Sequence, residues 1–438
     1  MNNPSIPSPD AETSLEALKA LVRQRNLLAA LRVFHAHMGE IFHLKLLSLE
    51  AIMLVGPDAN RFVLVTHRDK FLWRNEADPV VALLREGVLV TDGDMHDMLR
   101  RQMNPSLHRK ALTGYVEGMW RATDAITSQW PGTAASIEML AEMRKITLLT
   151  LVESLFRVDL MPDLERMWQP ILKSIAYISP GLWLLWPGVP RPGYAARLKT
   201  MNDYLYAIIQ QRRAVFDAEN AEDLLGLLIA GGLDDDSIRD QLLTILIAGH
   251  DTSTALLTWV LYLLTTHPET LHRAQAEVDT VLGTRPPEME DLSQLGYLGQ
   301  VIDETLRLYP PIHLGSRIVA EDLIFNGYTL PAGSRVMYSI YLAHRDPNHW
   351  PEPDTFNPDR FSAENKRRIL PYAYLPFGGG ARNCIGTAFG LVEAKIILAR
   401  ILQQFDLTFT GHPVKLKMGA TLEPKPGVRI VARRRVTG

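Results

Sequence analysis

Phe377-Gly378-Gly379-Gly380-Ala381-Arg382-Asn383-Cys384-Ile385-Gly386 carries the one cysteine in a chain of 438 residues. A solitary thiol can form no internal disulfide and no four-sulfur zinc or iron–sulfur site. It can act as a nucleophile, bind one metal as a thiolate, or pack as a small apolar side chain. Its neighbours favour an anionic sulfur. Three successive glycines let the backbone adopt angles closed to other residues and run close to a large flat object. Arg382 sets a fixed positive charge two residues before the sulfur. Beyond it, Thr387 to Phe405 carries Leu391, Ala394, Ile397, Leu398, Ile401 and Leu402 at helical spacing. Cys384 therefore precedes a helix N-terminus, whose dipole and free N–H groups stabilise negative charge.

Composition sets the surroundings. The chain is 47% apolar and 22% charged with a net charge of −3, and its basic residues are scattered, which excludes a nucleic-acid surface. Met1 to Ser14 is polar, with neither a secretory signal nor an 18-residue apolar span, and about 1–15 reads as a flexible tail. The apolar run Thr254–Leu264 is too short to cross a bilayer. A cytoplasmic protein without disulfides is expected, with residues 1–438 forming one domain.

The fold class expected is mainly α with a small β region (α+β). Extended runs read at Phe42–Leu47, Ala51–Val55, Leu323–Phe325, Arg335–Ile340 and Val414–Leu416. Gly427–Val431 reads as closing a hairpin across Pro424–Pro426. A helix opens at Pro57 after a glycine, and residues 96 to 310 are almost entirely helical in period.

The longest helical pattern, Asp236 to His267, predicts a rod about 45–50 Å long. Asp234, Asp235 and Asp236 supply capping oxygens and negative charge at its start. Pro268 ends it. So apolar a helix is buried. Its midpoint reads Ala248-Gly249-His250-Asp251-Thr252-Ser253. Gly249 costs about 1 kcal/mol against Ala in a helix interior, and its bare face would let a planar cofactor lie against the helix. Thr252 can return its hydroxyl to the carbonyl of Ala248. Asp251 reads either as a proton donor or as a buried carboxylate paired with a distant base.

Two charged pairs lie at helical spacing. Glu304 and Arg307 share a face and read locally as a solvated surface pair. His96 and Arg100, after Thr91-Asp92-Gly93 at a helix start, lie one turn apart and could clamp a dianion or simply line an exposed face.

The cysteine segment resembles the haem-binding loop of the cytochrome P450 family, Phe-x-x-Gly-x-Arg-x-Cys-x-Gly, at every defined position. The central sextet is similar to that family's oxygen-activation motif, Ala/Gly-Gly-x-Asp/Glu-Thr-Thr/Ser. The resemblance covers the chain after its tail. It implies haem b (iron protoporphyrin IX) between the long helix and the cysteine loop, with Cys384 as the iron ligand. It also implies that Phe377, Gly378 and Gly386 shape the loop and that Ala248 and Gly249 lie against the cofactor. His96, Arg100, Arg317 and Arg382 would then meet the propionates, with Thr252 and Asp251 feeding protons to bound dioxygen. Glu304, Arg307 and Arg360, the last in Phe356-Asn357-Pro358-Asp359-Arg360-Phe361, match the family's buried structural triad.

The resemblance implies a haem-thiolate monooxygenase that inserts one oxygen atom of O2 into a hydrophobic small molecule such as a fatty acid, terpenoid or steroid-like compound. Pocket segments fall at Pro79–Leu89, Ser179–Tyr194, Leu242–Ala248, His313–Leu314 and Met418–Leu422. From these come Leu89, Trp183, Ile245, His313, Leu314 and Thr421 as wall residues. The Trp-rich 179–194 segment reads as a mobile lid or a weak membrane-surface contact. With no dinucleotide fingerprint and no cysteine cluster, electrons come from outside, from a ferredoxin and ferredoxin reductase type of donor. A peroxide-driven peroxygenase and a non-catalytic haem sensor are the alternatives.

Overall fold

The long helix runs from Asp235 to Thr266 in the computed structural model, which describes residues 4–46, 49–76, 78–131, 135–179 and 193–435. Its N-cap forms as the acidic run predicts, with Asp234 Oδ1 accepting from the Ser237 N–H at 2.8 Å. Pro268 opens the next helix directly after the chain turns at His267. At 1.5 Å per residue the rod is about 48 Å long.

Neighbouring helices enclose it. Met139–Phe156 lies alongside, joined through the buried hydroxyl pair Thr147–Thr254 at 2.9 Å. The helix that follows the cysteine, Thr387–Gln404, meets it where the Ser253 hydroxyl donates to Glu393 at 2.6 Å. Near its C-terminal end Trp259 is buried, stacked on Tyr309 at 3.9 Å and 4°, an arrangement worth about 0.5–1.5 kcal/mol beyond its buried area.

The strands flank this helical body. Ile41–Leu46 and Leu49–Leu54 form an antiparallel pair, extended by Arg335–Ser339 in parallel and then by Leu314–Val319 and Phe71–Leu72. Pro57 starts its short helix as expected. Three expectations are corrected. The first helix spans Ala11–Gln24 and so begins inside the presumed tail, because Asp10 caps it through the Thr13 N–H. The C-terminal hairpin pairs Lys415–Met418 with Leu422–Lys425, so its turn lies at Gly419–Thr421 and not across Pro424–Pro426. Pro424 is tolerated there because a two-stranded ribbon leaves one edge of each strand free of partners. Arg429–Arg434 pairs instead with Phe405–Phe409 and Ser136–Glu138. Among the described residues, no helix is long and apolar enough to cross a membrane.

Candidate functional site

The cysteine loop is held from several sides. The Cys384 N–H donates to the Phe377 carbonyl at 2.8 Å, and the Thr387 hydroxyl caps the Cys384 carbonyl at the same distance. Gly378 and Gly380 have φ of +70° and +66°, the left-handed region that favours glycine. At Gly380 a Cβ would stand 2.0 Å from the Leu64 carbonyl, so the close approach the glycines permit there is to backbone. Arg100 donates to the carbonyl and side-chain oxygens of Asn383, at 2.7 and 3.1 Å. Through these bonds Arg100 braces the loop.

Cys384 is exposed by area, yet burial in the protein mass is the largest influence on its thiol and pushes the pKa up. Both hold if the sulfur lines an internal cleft. The Gly386 N–H, the Thr387 hydroxyl and Arg100 pull the other way without winning. A thiolate here needs a metal cation as partner, since a coordinating thiol is deprotonated outright.

The central helix offers a matching strip. Ile245, Leu246 and Ile247 are buried, as are His250 and Asp251, whereas Ala248 is exposed and Thr252 only half-buried. These two are one turn apart and share a face. Thr252 donates to the Ala248 carbonyl at 2.7 Å, as the sequence suggested. Gly249 is a correction. Its missing Cβ points at Leu151, 2.5 Å from that methyl group, because one helical step turns it about 100° away from Ala248. The glycine serves helix packing, not cofactor clearance.

Asp251 is buried, and burial raises its pKa. Its Oδ2 accepts from the Thr421 hydroxyl at 2.8 Å, and Arg144 stands 3.8 Å from Oδ1. Thr421 is thus buried and engaged by Asp251. Beside them His250 lies fully buried, its Nε2 against the Arg144 carbonyl at 3.1 Å. Burial takes the imidazole down to about 3, so it is neutral.

A second group of charges borders a cleft of about 250 Å³ lined by His96, Arg317, Arg382 and Asp92. Arg382 donates to the Thr91 carbonyl and Asp92, while Arg317 has no carboxylate within 4 Å among the described residues. Burial lowers the pKa of both Arg382 and His96, and Arg317 and Arg100 repel Arg382 further. Along this lining Arg68 pairs with Asp69, His96 with Asp97 and Arg382 with Asp92, which leaves the Arg317 guanidinium available to a carboxylate on a ligand edge.

Behind the loop, Glu304 and Arg307 are fully buried and paired twice, at 2.7 and 2.8 Å. The remaining Arg307 N–H groups donate to the carbonyls of His344, Pro353 and Thr355. Arg360 approaches Glu304 at 3.4 Å as the third member. His344, neutral at a pKa of about 3 through burial, accepts from the Leu375 N–H at 3.0 Å and so ties the triad to the segment entering the cysteine loop.

Of the other pocket residues, Leu89 is exposed, Leu314 half-buried, and Ile245 and His313 buried. Trp183 and most of 179–194 lie outside the described residues. Sequence reasoning missed Arg144, Glu393 and Glu423. Arg144 meets Glu423 across 279 residues, and no local pattern announces such a partner.

A family model described as Cytochrome P450 matches residues 8–430. Over 426 residues the chain is 32% identical to the cyclooctatin synthase of Streptomyces melanosporofaciens, covering 94% of this chain and 91% of that protein. It is 34% identical over 345 residues to the bifunctional cytochrome P450/NADPH–P450 reductase 2 of Bacillus subtilis, covering 74% of this chain and 32% of that one. The crystal structure of the cytochrome P450DA haem domain superposes with a TM-score of 0.86 at 27% identity, covering 100% and 98% of the two chains.

Proposed function

The chain belongs to the cytochrome P450 family and is a haem monooxygenase, and on that premise we propose how its residues divide the work and what it oxidises. Cys384 is the iron ligand of haem b, held at the mouth of its helix by the Gly386 and Thr387 groups that favour an anion. His96, Arg317 and Arg382 hold the propionate edge. Ala248 and Thr252 line the opposite wall.

Bound in this way, haem supplies dioxygen activation: one atom enters a C–H or C=C bond, the other leaves as water, and two electrons and two protons are consumed. Two protons must therefore cross a buried helix. Asp251, a carboxyl whose pKa burial raises, takes up and releases one at the end of the path. Thr252 spends its own hydrogen on the Ala248 carbonyl, which leaves its oxygen lone pairs free to orient a donor in the cleft. The substrate is an apolar small molecule, since Leu89, Ile245 and Leu314 supply no charge. The electron donor is a ferredoxin-type protein in the cytoplasm, docking on the cysteine-loop face.

The bared strip Ala248–Thr252 on an otherwise buried helix carries this reading. Reduction under carbon monoxide should give the absorption maximum of thiolate coordination. In Thr252→Ala, reductant consumption should continue while product falls. Unchanged yield per electron in Thr252→Ala would remove Thr252 from the proton path, and the same result in Asp251→Asn would remove Asp251.

A further inference from the structure

The carboxyl of Asp251 does not stand alone. Arg144, on the helix Met139–Phe156, has its guanidinium on Glu423 of the C-terminal hairpin while remaining 3.8 Å from Asp251 Oδ1. Lys417, on the other strand of that hairpin, stands 3.6 Å from Glu423. Along this row side-chain exposure is 51% at Lys417, 11% at Glu423, 17% at Arg144 and 4% at Asp251. The row connects bulk solvent to the central helix.

Arg144 is the cation that lies between the two buried acids, with the more exposed Lys417 beside Glu423. Two buried oxygens of like charge with a single guanidinium between them favour one carboxylate and one neutral carboxyl. Burial raises the pKa of both acids, and with Arg144 and Lys417 both on Glu423 it is Glu423 that ionises more readily and Asp251 that holds its proton longer. A second observation points to an alternative arrangement already built in. Arg144 Nε and Asp251 Oδ1 are both buried with no hydrogen-bond partner among the described residues. A small displacement of the guanidinium would pair them. The other groups facing the pair are the Thr421 hydroxyl on Asp251, Lys417 on Glu423 and the neutral His250 against the Arg144 carbonyl.

We propose that Glu423 is a positioning residue for Asp251: by holding Arg144 it keeps that guanidinium off Asp251, and exchange of Arg144 between the two acids meters protons into the site. When Glu423 takes a proton from solvent, its hold on Arg144 weakens. Arg144 moves to Asp251 and stabilises the carboxylate, which releases its proton inward. One proton enters and one leaves, and the cluster's charge is unchanged. Reset passes the Glu423 proton to Asp251 and returns Arg144 to Glu423. This control rests on the proposed role of Asp251 as proton donor.

The test reads protonation directly. In the haem-loaded ferric protein, infrared difference spectra recorded across pH report buried neutral carboxyls, and the band lost in Asp251→Asn identifies Asp251. Glu423→Gln frees Arg144, and the Asp251 midpoint should fall by about 1 pH unit or more, as an opposite charge within contact range dictates. Adding Arg144→Gln to that background should return it upward, and Glu423→Asp should restore most of the original midpoint. An unmoved or raised midpoint in Glu423→Gln overturns the proposal. Should that variant fail to fold, Arg144→Gln alone must add a neutral carboxyl band near pH 7 beyond those of Asp251 and the buried Glu393, and absence of that added band overturns it equally. The measurement involves no turnover, so it is separable from the role of Asp251 itself. If Asp251→Asn keeps full coupling of product to reductant while the infrared shifts occur, the donor assignment falls and the control by Glu423 stands.

Discussion

Glu304→Ala should destabilise the protein by about 3–5 kcal/mol, the range for breaking a buried ion pair from one side. The structure supports the upper half of that range. Glu304 receives two bonds from Arg307, one from the Asn357 N–H at 2.9 Å, and the charge of Arg360 at 3.4 Å. Truncation strands a fully buried guanidinium that keeps only its carbonyl contacts, and it orphans the Asn357 amide. Against a total stability of roughly 5–15 kcal/mol, the loss is a large fraction. Glu304→Gln keeps the shape and one acceptor, so about half the effect is expected. Urea unfolding followed by circular dichroism would give the difference in free energy, with haem absorbance recorded in parallel. Because His344 links the triad to Leu375, haem should be lost at lower urea than in the parent. A change below about 1 kcal/mol in Glu304→Ala would refute the account of Arg307 as a charge that depends on this partner.

Gly249→Ala gains about 1 kcal/mol of helix propensity but meets the Leu151 methyl at 2.5 Å, and overpacking costs about 1–3 kcal/mol, so a net loss is expected. Combining it with Leu151→Val should cost less than the sum of the two single changes in thermal unfolding. Strict additivity would return the glycine to a role against the cofactor. Glu393 is fully buried with a pKa pushed up to about 8 by burial, its partner being Ser253. An acid whose folded pKa exceeds its unfolded value loses stability as pH rises, here between about 4.5 and 8. Glu393→Gln should therefore flatten the decline of stability across that window, and a parallel pH profile would show that Glu393 does not titrate with unfolding.

The sequence was most informative where a chemical requirement is local. The cysteine loop, the capped central helix and the Thr252–Ala248 bond all follow from neighbours within a turn or two. The first helix was also legible in principle, because Asp10 with its bond to Thr13 is an ordinary N-cap, and the proline-rich opening concealed it. Long-range partners were not legible. Glu304 and Arg307 look like a surface pair from their spacing, and their burial depends on carbonyls 37 to 48 residues away. Gly249 was assigned the wrong neighbour because a bare helix face does not say what fills it. The C-terminal hairpin was misplaced because prolines suggested a turn that a free strand edge can absorb.

That hairpin reaches the central helix at two consecutive residues. Thr421 holds Asp251, while Leu422 donates its N–H to the Pro311 carbonyl and accepts the Trp259 indole N–H at 2.8 Å. Selection for a new substrate that reshaped this ribbon would also displace the partner of an acidic group, so altered preference would bring wasted reductant with it. Divergence in specificity is therefore freer at the exposed Leu89 than at Leu314, which packs in one hydrophobic cluster with Leu416, Met418 and Leu422 of the hairpin.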